Sequence, residues 1–167
     1  MATKIFIVDD NPLQLEMIQD HFKGKQHLNI NSISTGEECL QRLNENPEIV
    51  VLDYQLDNVN REAANGLEIL KAIKSRNQDI EVVMLSGQER IEVAVNSMRD
   101  GAFDYVIKNE SAFLRLEYTI NKILDRKAIL KNRDALKKIV VFLGILVAIL
   151  IVCLIGILFI WDLPMRQ

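Results

Sequence analysis

Four apolar runs in this 167-residue chain end in polar residues that form a complementary set. Ile5–Val8 is followed by Asp9 and Asp10, Ile49–Leu52 by Asp53, Val82–Leu85 by Ser86, and Tyr105–Ile107 by Lys108. Three carboxylates brought together repel one another unless they are protonated or share a cation. Oxygen-only donors with room for water suit Mg²⁺, with Mn²⁺ also allowed, whereas Zn²⁺ calls for His or Cys. His21 and His27 end no apolar run, so zinc chemistry and a Ser-His-Asp triad are unsupported. Phosphoryl chemistry remains: a carboxylate nucleophile, a metal that spreads charge over phosphoryl oxygens, and a Lys that pairs with another oxygen. Taken singly, each residue has an ordinary explanation. Asp10 ahead of Asn11–Pro12 would cap a helix, Ser86–Gly87 would make a turn, and a terminal Lys is usually solvated. Four run ends carrying one matched set are much harder to assign to turns.

Such a set works only if the runs lie side by side. Lys4–Val8, Leu28–Ile33, Ile49–Leu52, Ile80–Leu85 and Tyr105–Ile107 read as strands, and four of the five are nearly continuous apolar stretches. That pattern suits strands buried on both faces of a parallel sheet. Helical stripes lie between them: Leu13, Met17, Ile18 and Phe22; Cys39, Leu40 and Leu43; Leu67, Leu70, Ala72 and Ile73; Val93, Ala94 and Met98. Gly24, Gly36, Gly66, Gly87 and Gly101 punctuate the connections, and Ser111 is placed to cap a last helix. The alternation predicts an α/β fold, a doubly wound (βα)5 five-stranded parallel sheet with helices on both faces. Ligands of such sheets bind beyond the carboxyl ends of the strands, where these polar residues fall.

The formal net charge is −3, unevenly distributed. Residues 1–110 carry 11 Lys/Arg against 19 Asp/Glu, and residues 111–138 carry 8 against 3. The acidic first region lacks the positive field that nucleic-acid binding requires. Cys39 and Cys153 imply neither a disulfide framework nor a metal clip. Met1–Asp10 lacks the apolar core of a signal peptide.

Residues 139–161 form 23 consecutive positions without a charge or a hydroxyl. As a helix this run reaches roughly 35 Å, enough to cross a hydrocarbon core of about 30 Å. Six cations, Arg126, Lys127, Lys131, Arg133, Lys137 and Lys138, precede it, and only Arg166 follows. The positive-inside rule then places the N-terminal region in the cytoplasm, with Trp161 as an interfacial anchor. The expected organisation is a domain over 1–125, a basic helical stalk over 126–138, a single transmembrane helix over 139–161 that meets lipid, and a short non-cytoplasmic tail over 162–167. No Gly or Pro occurs from 102 to 143, so the last helix of the domain is free to run on into the stalk, although a break near Asn132–Asp134 is equally allowed. Gly144 and Ala148 form a small-xxx-small pair that would let two helices approach in a homodimer. Leu116, Ile120, Ile123 and Leu130 either pair such stalks or cover the domain's own sheet.

With Asp9, Asp10, Asp53, Ser86 and Lys108 in this order and spacing, residues 3–125 resemble the receiver domain of two-component response regulators, which has a flavodoxin-like fold. The resemblance implies that Asp53 accepts a phosphoryl group from a histidine kinase or phosphotransfer protein. It also implies that Asp10, Asp53 and the backbone carbonyl of Gln55 hold Mg²⁺, with Asp9 acting mainly through water. Lys108 would pair with the phosphoryl group, and Ser86 would move toward it while Tyr105 swings into the vacated space. Gln55 and Gln88 would tune the lifetime of the acyl phosphate. Two features depart from the family pattern. Gly66 follows Asp53 by thirteen positions through a polar segment without proline, and Asn109 stands where the family favours a Pro after the Lys.

Only 13 positions separate residue 125 from the apolar run, too few for a DNA-binding module. The expectation is therefore a membrane-anchored, stand-alone response regulator. It would not be an enzyme beyond Mg²⁺-dependent self-phosphorylation and autodephosphorylation, and phosphorylation would switch its binding to an unidentified downstream protein. One alternative is a phosphorylation-independent membrane scaffold with the same fold. Another, an aspartyl phosphatase, is disfavoured because Gln55 stands where its second Asp would be needed.

Overall fold

A computed structural model describes residues 2–56, 65–87 and 91–162; within the last segment the side chains at 134–135, 148, 152–156 and 159–162 lie outside the description. Five strands, β1 (Thr3–Val8), β2 (Leu28–Ile33), β3 (Ile49–Asp53), β4 (Glu81–Ser86) and β5 (Asp104–Ile107), form one sheet in the order β2-β1-β3-β4-β5. Every neighbouring pair is parallel. The helices are α1 (Pro12–Phe22), α2 (Gly36–Gln41, continued by a 3₁₀ turn over Arg42–Glu45), α3 (Gly66–Arg76), α4 (Ile91–Arg99) and α5 (Ala112–Asp162). The expected strands are all present, with ends that differ by no more than one residue.

The central strands are apolar between their ends because both of their faces are covered. Phe6, Val8, Val50, Leu52, Val82 and Met84 point to one side and pack with Cys39, Ile69, Leu70 and Ile73 of α2 and α3. Alternate residues Ile5, Ile7, Ile49, Val51, Val83 and Leu85 are equally buried, as are Leu15, Ile18 and Phe22 of α1 and Leu116, Ile120 and Ile123 of α5. Cys39 is part of this packing, and burial pushes its thiol up to about 12, so it is a core residue and not a nucleophile.

The helical stripes shift from their expected phase at two places. In α1, Leu13 and Met17 are exposed and Leu15 takes the inner position, because Asn11 and Pro12 fix where the first turn starts. In α4, Met98 is exposed and Ser97 is buried, its hydroxyl donating to the Val93 carbonyl at 2.8 Å. In α5, Leu116, Ile120 and Ile123 are fully buried within the sheet domain, which removes them as contacts between stalks. The start of α5 is organised by Asn109 and not by a Ser111 cap: Asn109 Oδ1 accepts from the Ser111 amide at 3.1 Å and hydroxyl at 2.9 Å. The Lys108–Asn109 peptide is trans.

The chain divides into two compact units, Met1–Ile123 and Leu124–Gln167. In the second unit, the described side chains from residue 128 onward are exposed. Among the described residues no helix is long and apolar enough to cross a membrane, and the run expected to do so, 139–161, is interrupted by side chains outside the description. Gln88, the side chains of Ala148, Cys153 and Trp161, and most of the segment between Asp53 and Gly66 fall outside it as well.

That polar segment is pinned at both described ends. The Gly66 amide donates to the Tyr54 carbonyl at 2.9 Å, and Asn65 caps α3 in a reciprocal box with Glu68. A Cβ at Gly66 would overlap the Asp53 carbonyl oxygen and lie 2.7 Å from Tyr54 Cα, so only glycine lets α3 start against the end of β3. Gly66→Ala is expected to cost about 1–3 kcal/mol through this overlap, and Asn65→Ala about 1 kcal/mol through loss of the cap. Urea unfolding followed by circular dichroism measures both; an unchanged midpoint for Gly66→Ala would mean that α3 can retreat from β3 without loss.

Candidate functional site

The strand register builds the site. Val8 lies beside Leu52, which brings Asp9 level with Asp53 at the ends of two adjacent strands. Asp53 lies beside Leu85 and Ser86 beside Ile107, so Ser86 and then Lys108 continue past the same edge. The Lys108 amide donates to the Ser86 carbonyl at 2.7 Å and fixes where the lysine leaves the sheet. All five expected residues are thereby brought to one end of the sheet.

Carboxylate oxygens of Asp9, Asp10 and Asp53 lie within 4.8 Å of one another, and all three residues are buried. Lys108 Nζ donates to Asp9 Oδ2 at 2.7 Å and to Asp53 Oδ2 at 2.8 Å. The other Asp9 oxygen accepts from the Asn11 amide at 2.9 Å. Asn11 therefore does two jobs, because its own Oδ1 caps α1 by accepting from Leu13 and Gln14. The cap is Asn11, which corrects the reading of Asp10 as a helix cap and leaves Asp10 with the acidic cluster. Asn11 is the site residue that motif reading missed, although an Asn-Pro directly after an acidic pair was a visible signal.

Burial is the largest influence on Asp53 and pushes its carboxyl up to about 6; Lys108 and the Gln55 amide pull it down, and Asp9 adds to the rise. Burial also disfavours the Lys108 ammonium, but its bonds to Asp53 and Asp9 outweigh that and hold it above the ordinary lysine range. With all four groups ionised the cluster carries a formal −2, which one divalent cation would balance. The donors are hard oxygens, as Mg²⁺ prefers. Gln55 bonds Asp53 through its amide and is itself exposed. Ser86 is fully buried, and the Tyr105 ring is buried in the core, 7% exposed.

Residues 5–117 match the family model described as the response regulator receiver domain. The chain belongs to the response regulator receiver family. It is 30% identical over 106 residues to the luminescence regulatory protein LuxO of Vibrio campbellii, a match covering 63% of this chain and 22% of that protein. The chain spans about a fifth to a third of the length of the curated relatives it matches. Among solved structures, the signal receiver domain of a putative LuxO repressor protein from Vibrio parahaemolyticus aligns with a TM-score of 0.69 at 20% identity, covering 78% of this chain and 96% of that one. CheY in the CheX-CheY-BeF3-Mg²⁺ complex of Borrelia burgdorferi aligns at 0.64 and 19% identity, covering 73% and 89%. These two likenesses show the fold.

The raised Asp53 carboxyl has a consequence for stability. In metal-free protein the native state keeps the proton up to about pH 6, whereas an unperturbed carboxyl loses it near 3.8. The native state therefore binds more protons across that window, and stability falls as pH rises through it. Asp53→Asn removes this slope, because Lys108 keeps Asp9 as a partner. The variant is expected to gain roughly 1–3 kcal/mol over the parent at pH 7 and nothing below about pH 4. Urea titrations at pH 4, 5, 6 and 7 in chelator measure the difference.

Proposed function

We propose that this chain is a membrane-attached response regulator that receives a phosphoryl group on Asp53 from a histidine kinase or a phosphotransfer protein and thereby changes its affinity for a protein partner. The observation that carries this reading is the Lys108 ammonium, shared between Asp9 and Asp53 inside a buried three-carboxylate cluster. In the transfer, an Asp53 carboxylate oxygen attacks phosphorus, the P–N bond of the phosphohistidine breaks, and the imidazole leaves with the electron pair and takes up a proton. Asp10, Asp53 and the Gln55 carbonyl would hold Mg²⁺, with Asp9 behind them. When bound, the ion supplies positive charge to the phosphoryl oxygens. Lys108 would exchange its bond to Asp53 for one to the incoming phosphoryl group, and Ser86 would follow, with Tyr105 re-seating beside it. The Mg²⁺ and CheX of the Borrelia complex agree with the family's metal and with recognition by protein partners.

The membrane part rests on sequence alone. Twenty-three uncharged positions after six cations fit a single span with the receiver domain in the cytoplasm.

Two experiments test the two halves separately. Incubation with Mg²⁺ and acetyl phosphate, followed by intact mass, should add one phosphoryl group to the chain. Asp53→Asn and chelator should each abolish it, and Lys108→Ala should reduce it strongly; no adduct under any condition would leave a phosphorylation-independent scaffold. For the anchor, the full chain should stay with membranes through alkaline carbonate extraction, and residues 1–138 should be released. A full chain released as readily as the truncated one has no span.

A further inference from the structure

The second unit carries a feature that the phosphorylation chemistry does not use. Its helix distributes charge to one side. At about 100° per residue, Arg126, Lys127, Lys131, Arg133, Lys137 and Lys138 all fall within an arc of about 160°. On the opposite side, Ile129, Asn132, Leu136 and Ile139 follow one another at intervals of three, four and three residues. The same alternation continues through Leu143, Leu146 and Leu150. These seven positions form one unbroken heptad seam of the kind that a paired helix covers. Their apolar members are open to solvent in the single chain: Ile129 is 68% exposed, Leu136 63% and Ile139 54%.

We propose that this face is covered by a second copy of the chain, the two helices running parallel with Ile129, Asn132, Leu136 and Ile139 at the seam. Two observations select a second copy as the occupant. A two-fold arrangement turns all six cations of each chain outward, so that the like charges face away from the partner strand. Asn132 sits within the seam, where it meets its own counterpart across the axis; a lone seam Asn specifies register at a cost in stability. The seam also explains why the buried residues Leu116, Ile120 and Ile123 are not needed for pairing. Ile129, Asn132 and Leu136 precede the apolar run 139–161, so the pairing does not rest on the proposed span.

Single cysteines introduced at 129, 136, 139, 127, 131 and 138 in the full chain, with Cys39 and Cys153 replaced by alanine, test it. Copper phenanthroline serves as the oxidant that turns two thiols into a disulfide across the axis. Disulfide-linked dimer is expected to be several-fold more abundant at 129, 136 and 139 than at 127, 131 and 138. Leu136→Lys in the otherwise native chain should shift the light-scattering mass in non-ionic detergent from dimer to monomer, while acetyl phosphate still labels Asp53. Crosslinking without periodicity, crosslinking that peaks on the cationic side, or a parent chain that is monomeric throughout would each overturn the proposal.

Discussion

The Lys108 ammonium is the charge on which this receiver domain depends. Three carboxylates buried at the ends of two adjacent strands would be intolerable without a compensating cation. Lys108 supplies it with bonds to Asp9 and Asp53 under 3 Å. The arrangement requires β1 beside β3 and places β5 two strands from β3, at roughly 4.8 Å per strand. Lysine is long enough to reach across the intervening β4. The residue on that strand, Ser86, is small and fully buried. The site is thus a statement about strand order as much as about residue type.

Its resting state is poised between protonation and metal binding. Burial raises the Asp53 carboxyl, whereas Lys108 and the Gln55 amide lower it. The remaining formal −2 leaves the cluster short of charge balance by one divalent ion. Any added positive charge favours the ionisation of a carboxylate held this way. The backbone beneath it has little freedom: Gly66 packs against the Asp53 carbonyl, and Tyr54 is bonded both to Leu85 and to Gly66.

The helix α5 meets two environments along its length. Up to Ile123 its inner face, Leu116, Ile120 and Ile123, is buried within the sheet domain. From residue 128 onward the described side chains are exposed, and polarity is arranged by the helix's own periodicity, cations on one side and an uncharged seam on the other. Written as letters, the buried stripe and the solvent-facing stripe are indistinguishable. Leu116 and Leu136 are both leucines at helical spacing from other apolar residues, yet one is fully buried and the other is 63% exposed.

Sequence alone determined the strands, the parallel sheet and the five polar residues of the site. Both-face burial writes a strand as an unbroken apolar run, and chemistry sits where the run stops. It did not determine helix phase, because the inward direction of a helix is set by the sheet beneath it: Leu15 faces inward although Leu13 was an equal candidate, and Ser97 faces inward while the more apolar Met98 is exposed. Nor did it separate the roles of Asp10 and Asn11. Either can cap a helix, and only the folded geometry shows Asn11 capping α1 while its amide steers Asp9. The pairing of Lys108 with Asp9 and Asp53, residues 99 and 55 positions away in the chain, was likewise decided by tertiary structure, since strand order and register alone bring such distant residues within hydrogen-bond reach.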